Sequence, residues 1–212
     1  RMVDAKDMDE VFRILGETEY QHHLGLLNRN EDYEKILYAE QKRIYALVSE
    51  LTKEESITKL LALKYDYHNL KVLVKEKVSG KSLEHLYVPF GTLDLSKIKT
   101  AFLAEEFKEL DVNIARALED TLSTFEKSED PQDIEIILDR HYYNHLSQVA
   151  KDTEIPLFMD NVKNMVDFTN IKSLIRVKKM DKDVRFLEKI LLDGGSISIE
   201  KILYSINDSL DA

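Results

Sequence analysis

The chain has 212 residues, 43% of them hydrophobic and 33% charged, with six glycines, three prolines and neither cysteine nor tryptophan. Its formal net charge of −10 argues against nucleic acid or anionic lipid as broad-surface partners, and the basic run Arg176, Lys178, Lys179 reads as a solvated helix face. The lack of cysteine excludes disulfides, thiolate zinc sites and cysteine nucleophiles. The length suits one large or two small domains. No apolar run approaches the roughly 18 residues of a membrane span, and the polar start Arg1–Asp9 is unlike a signal peptide, so a soluble, cytoplasmic chain is expected.

In chain order, helical periodicity dominates and low glycine and proline predict an all-α fold. Met8, Val11, Phe12 and Leu15 make one apolar stripe. Tyr33, Ile36, Leu37, Ile44, Leu47 and Val48 make a second. Residues 57–78 are apolar enough for two helices, or one long helix bent near Tyr65 and Asp66. A further stripe runs from Leu110 to Phe125. Asp130-Pro131 is a helix start, with Asp as cap and Pro at the first position, where its missing N–H costs nothing. Ile134, Leu138, Tyr142 and Val149 then share its buried face. Dense helical character returns over 157–179. Only Gly91–Leu95 and Gly195–Ile199 alternate with period two, as short strands or as extended lead-ins to helices.

Those two stretches expose a duplication. Residues 91–98, GTLDLSKI, align with 195–202, GSISIEKI, at an offset of 104 (195 − 91). Residues 66–74, DYHNLKVLV, align with 167–175, DFTNIKSLI, at an offset of 101 (167 − 66). Asp32, Glu34, Ile36 and Leu37 match Asp133, Glu135, Ile137 and Leu138, and Arg13, Leu15 and Thr18 match Arg116, Leu118 and Thr121. Amphipathic periodicity alone does not place Asp, Asn and Lys at fixed positions, so self-similarity in one order marks repeated units. The expected organisation is a first helical unit over 1–99, a second over 100–203 and the start of a third over 204–212. Across that boundary a helix from Lys201 to Leu210 is expected, its stripe of Ile202, Leu203, Ile206 and Leu210 folding back on the second unit or self-associating.

Few constellations suggest chemistry. There is no phosphate-binding glycine loop and no nucleophile elbow. His141 and His145 stand at i, i+4 with Asp139 and Glu135 near them, a spacing compatible with one metal ion. Their counterparts Glu40 and Ile44 carry no such pair, so packing or surface roles are favoured. Adjacent His22 and His23 point to different faces. The pairs Glu54-Glu55 and Glu105-Glu106 read as acids near helix starts, where they favour the dipole. The most specific polar features are Asp66, Asn69 and Lys71 with their counterparts Asp167, Asn170 and Lys172. Asp and Asn at i, i+3 share a face and are read as a repeated structural motif that caps or bends a helix, the alternative being a docking hot spot.

Leu15-Gly-Glu-Thr-Glu-Tyr20 resembles the L-x-x-T-x-Y signature of the C (or d) subunit family of V-type and A-type ATPases. Tyr65-Asp66-x-x-Asn69-Leu70-Lys71-x-Leu73 resembles that family's Y-D-x-x-N-L-K-x-[LI] block. The resemblance covers the whole chain. It departs in the second unit, where Val166 replaces the Tyr before Asp167 and Thr169 stands at the place of His68. It implies three similar helical units, of which this chain resembles a fragment holding two. It further implies a non-catalytic central-stalk subunit without cofactors, a peripheral part of a membrane complex that moves protons or sodium ions. Its implied partners are the central shaft subunits and the membrane proteolipid ring, with no nucleic acid and no direct membrane insertion. The competing readings are a helical-repeat scaffold for other partners and a metalloenzyme built on His141 and His145.

Overall fold

A computed structural model describes residues 1–29, 33–52 and 55–208. The elements in order are α1 (Met8–Leu15), α2 (Tyr33–Leu51), α3 (Glu55–Ser79), α4 (Leu95–Ala104), α5 (Val112–Ser128), α6 (Pro131–Asp152), α7 (Pro156–Lys179), α8 (Val184–Ile190) and α9 (Ile199–Tyr204), with short 3-10 turns between some of them. The fold is all-α, and no strand occurs among the described residues. Asp32, Glu54 and Leu210 lie outside the described residues. The chain divides into two compact bodies, Arg1–Thr58 and Lys59–Ala212.

In the first body α1 starts on Asp7, whose carboxylate accepts the Glu10 N–H at 2.9 Å. Thr18, the Thr of the T-x-Y signature, links α1 to the 3-10 segment Glu19–Leu26. Its hydroxyl donates to the Leu15 carbonyl at 2.6 Å and accepts the Tyr20 N–H at 3.4 Å. That segment packs on α2 and carries His23, which meets the buried Glu40 at 3.1 Å. Arg43 grips the same carboxylate at 2.7 and 2.9 Å and holds its pKa below the usual range. Within the predicted α2 stripe, Ile36 is buried while Leu37, Ile44 and Leu47 stay exposed.

In the second body α3 is one unbroken helix, and its buried face meets α5 and α6 in the main core. Leu63, Tyr67, Leu70 and Val74 lie there with Ile114, Leu118, Ile134 and Leu138. Burying each such side chain is worth about 1.5–3 kcal/mol. Asp130 caps α6 by accepting the Gln132 N–H at 2.9 Å, with Pro131 at the helix start. A smaller core joins Val177 of α7, Leu187 and Leu191 at and after α8, and Ile202 of α9. The predicted tail helix ends at Tyr204, one 3-10 turn follows to Asn207, and Ile202 is buried while Leu203 and Ile206 are partly buried against the smaller core.

One open alternative is decided and one expectation is corrected. The period-two stretches are not strands. Residues 91–94 and 195–198 are bent lead-ins whose Leu93 and Ile197 pack against the two cores, and Asp94 and Ser198 cap α4 and α9. Glu105 stands at the end of α4, not near a helix start: it closes the helix in the left-handed region at φ 55° and pairs with Lys77.

Glu129, Glu154 and Asp181 also have positive φ, the conformation a helix stop normally gives to glycine. Glu129 is the exposed residue closing α5, at φ 51°, its N–H on the Phe125 carbonyl at 2.8 Å. Glu129→Gly relieves the Cβ clash of about 1–2 kcal/mol and loses roughly half of that to backbone entropy. A net gain in the midpoint of about 1–3 °C is expected in a thermal melt followed by circular dichroism.

Candidate functional site

The Asp-x-x-Asn helices meet the glycine lead-ins directly. Asp66, buried on α3, accepts three hydrogen bonds: from the Thr92 N–H at 3.2 Å, the Thr92 hydroxyl at 3.0 Å and the Leu93 N–H at 3.0 Å. On α7, Asp167 accepts the Ser196 N–H and the Ile197 N–H, each at 3.0 Å. Every group facing these carboxylates is a donor, so an acceptor-only side chain is required.

One helical turn on, the requirement changes. Asn69 donates through Nδ2 to the Val88 carbonyl at 2.8 Å and accepts the Val88 N–H at Oδ1, 2.9 Å. Asn170 treats Leu192 in the same way, at 2.8 and 2.9 Å. A side-chain amide pairs with a backbone amide through one donor and one acceptor, which neither Asp nor Leu can do. Asp and Asn therefore have distinct, non-exchangeable tasks in the motif. Both reach across to a following loop instead of capping or bending their own helix.

The glycines complete the clamp. A Cβ on Gly91 would lie 2.0 Å from Asp66 Oδ1, and one on Gly195 would lie 2.1 Å from Asp167 Oδ1. These positions are glycine because the carboxylate occupies the side-chain space, not because the turn needs a positive φ. Asp66 has its pKa raised, chiefly by burial, against the lowering effect of its three donors.

The lysines of the motif differ. Lys71 bridges Glu135 at 2.8 Å and Asp139 at 2.6 Å on α6, and Lys75 pairs with the same Glu135. Burial pulls the Lys71 pKa down, but its two carboxylates outweigh that and leave it raised. Lys172 is exposed on α7, and it makes no ion pair among the described residues.

A family model described as ATP synthase (C/AC39) subunit matches residues 1–212. The chain belongs to this family. It is 25% identical over 205 residues to the C subunit of the V-type sodium ATPase of Enterococcus hirae, covering 96% of this chain and 62% of that protein. It is 24% identical to the C subunit of the A-type ATP synthase of Methanocaldococcus jannaschii, covering 95% of this chain and 55% of that protein. The corresponding protein of Archaeoglobus fulgidus is 29% identical, with 89% and 58% covered. The chain thus spans less than two thirds of the length of these curated relatives.

In this C/AC39 chain the histidine pair is drawn apart by its partners. His141 meets Asp120 at 2.9 Å, while buried His145 meets the Tyr67 hydroxyl at 3.3 Å through Nδ1. The carboxylates near them in sequence, Glu135 and Asp139, are taken by Lys71 and Lys75. Among the described residues no group of three or more His, Cys, Asp or Glu is placed to hold a metal ion. No helix among them is long and apolar enough to cross a membrane.

The clamp makes a steric prediction. Gly91→Ala and Gly195→Ala each force a carboxylate off its donors and are expected to cost about 1–3 kcal/mol or more, measured by urea denaturation. Gly25→Ala, where nothing lies within 4 Å of the new Cβ, is expected to be near neutral.

His145 makes a second prediction. Burial lowers its pKa from 6.5, so the folded state favours the neutral ring. Its contribution to stability is complete above about pH 6.5 and is lost as pH falls from there towards the folded pKa, with a slope of at most about 1.4 kcal/mol per pH unit. His145→Gln is expected to flatten the stability profile between pH 7 and 5, read from urea midpoints. An unchanged slope would show that this ring is not the titrating group.

Proposed function

We propose that the chain is a non-catalytic coupling subunit of a rotary V-type or A-type ATPase, seated between the central shaft and the membrane proteolipid ring. The family match over residues 1–212 is the observation that carries the reading. A part that transmits torque must resist bending, and close-packed helices tied by buried hydrogen bonds transmit strain. The clamps supply such ties, each joining a long helix to the loop that leads into the next short one. The choice of proton or sodium ion then belongs to the ring, and the direction of ATP turnover to the catalytic head.

Within that role we read residues 1–99 and 100–203 as two copies of one unit, with the beginning of a third after them. Asp66, Asn69, Asp167 and Asn170 are the once-per-unit structural ties, and Lys71 and Lys172 are contact residues between neighbouring units. The support is the identical bonding of both clamps: carboxylate to two successive backbone N–H groups, and amide to a backbone amide.

The test is recovery of the epitope-tagged chain from detergent-solubilised membranes of its own organism. Shaft and proteolipid subunits are expected in stoichiometric amounts, and depletion of the chain is expected to abolish ATP-driven ion uptake into membrane vesicles. Recovery without any ATPase subunit would place the chain among scaffolds for other partners and end this reading.

A further inference from the structure

The ends of the two long helices form corresponding clefts. The chain leaves α3 through Gly80 and α7 through Asp181, both in the left-handed region at φ 64° and 52°, and 101 residues apart (181 − 80). After α3, Lys77, Lys81, Lys99 and Phe102 line a cleft of about 430 to 450 Å³, the larger value being its own. After α7, Lys178, Lys182, Leu203 and Ile206 line the other, of about 430 Å³. Lys77 corresponds to Lys178 and Lys81 to Lys182 at the same offset of 101 (178 − 77). Lys99 corresponds to Leu203 and Phe102 to Ile206 at 104 (203 − 99).

The two linings differ in charge. Asp181 and Asp183 stand in the second cleft where Gly80 and Ser82 stand in the first. In the second cleft these acids balance Lys178 and Lys182, and the Lys178 ammonium is taken up by the carbonyls of Ser205, at 2.9 Å, and Asp208. The first cleft sets Lys77, Lys81 and Lys99 against a single acid, Glu76. Glu76 is already engaged, accepting the Tyr87 hydroxyl at 2.5 Å and the Leu83 N–H at 2.6 Å. Lys81 makes no ion pair among the described residues. Lys77 and Lys99 reach only Glu105 and Glu84, carboxylates open to water, and such surface pairs hold weakly.

The first cleft is also the more apolar at its rim. Leu73 and Phe102 are buried in its wall, and Leu103 beside them is 82% exposed, where the second cleft has Asn207. Lysines around an apolar wall, with no acid left free, suit a ligand that has one anionic head and an apolar body. We propose that this cleft binds a single-chain carboxylate amphiphile, a free fatty acid. Its head lies on Lys81 and Lys99, and its tail along Leu73, Phe102 and Leu103. The space is too small for the two chains of a phospholipid, and a protein of net charge −10 is repelled by an anionic bilayer. The repeat enters only as a comparison, and the inference is independent of the rotary role.

The experiment titrates sodium decanoate, below its micelle concentration, into the isotope-labelled 212-residue chain and follows backbone amide shifts by NMR. Saturable shifts centred on residues 77–82 and 99–103 are expected, with none around 178–184. Decyltrimethylammonium, with the same tail and the opposite charge, should bind about tenfold more weakly or worse. Gly80→Asp/Ser82→Asp gives the first cleft the acids of the second and should weaken decanoate binding about tenfold or more. Asp181 shows that an Asp can hold this φ, and nothing lies within 4 Å of a Cβ on Gly80. Lys81→Gln/Lys99→Gln, which adds no acid and leaves the backbone alone, should weaken binding similarly with an unchanged melting temperature. Shifts that are absent or centred elsewhere, or equal affinity for the cationic amphiphile or in both variants, overturn the proposal. Co-sedimentation with phosphatidylglycerol vesicles is the lipid arm. Vesicle binding that is lost in Lys81→Gln/Lys99→Gln would assign the cleft to a membrane and overturn the free acid as its ligand.

Discussion

The second body depends on a carboxylate standing where a side chain would otherwise be. Asp66 Oδ1 occupies the position of a Cβ on Gly91, and Asp167 Oδ1 does the same at Gly195. Such close approach allows each carboxylate to reach two successive backbone N–H groups of a loop that belongs to no helix or sheet. A loop without regular structure has backbone donors to satisfy, and leaving them buried and unpaired would cost about 1–3 kcal/mol each. The charge bears the reverse cost, visible in the raised pKa of Asp66, because its surroundings are too dry to favour ionisation fully. Burial is tolerated because all three partners are donors.

That tie fixes the start of the next helix. Once the carboxylate holds Thr92 and Leu93, Leu93 packs on the main core and Asp94 is left to cap α4 through the Ser96 and Lys97 N–H groups at 2.9 and 3.2 Å. The second lead-in runs similarly, with Ile197 on the smaller core and Ser198 capping α9. Helix direction at these points is thus set by polar contacts, while apolar contacts hold the helices together. The two jobs need different chemistry, since hydrophobic burial is non-directional and a hydrogen bond to a carboxylate is not.

The helices are legible in the sequence because periodicity reports which face is buried. α1, α2, α6 and α7 begin within a residue of where their stripes and caps place them. Asp66, Asn69 and the glycine segments are legible too, but as separate blocks whose partnership stays hidden. A signal for it is present: each Asp precedes its glycine by a similar gap, 25 residues (91 − 66) and 28 residues (195 − 167). An acceptor-only residue and a side-chain-free residue that recur together are candidates for mutual contact, whereas reading Asp as a cap considers only its own helix. Glu105 misleads for a related reason. Acids are favoured at helix starts, but a surface Glu can also close a helix at positive φ when its backbone N–H finds a carbonyl of the preceding turn.

Beyond the clamps, α3 and α7 mark where sequence stops being informative about burial. Both carry the same apolar stripe flanked by the same cations, and periodicity assigns both the same buried face. Only α3 has that face covered, because residues 112–152 place α5 and α6 over it. Periodicity states which side of a helix seeks cover and is silent on what provides it. The opposite side of α7, with Val166 and Val177, is fully packed, so α7 keeps its place without the bare stripe. The same chemistry therefore serves as core in one helix and as open surface in the other. The difference lies in whether a helix of the α6 kind is at hand.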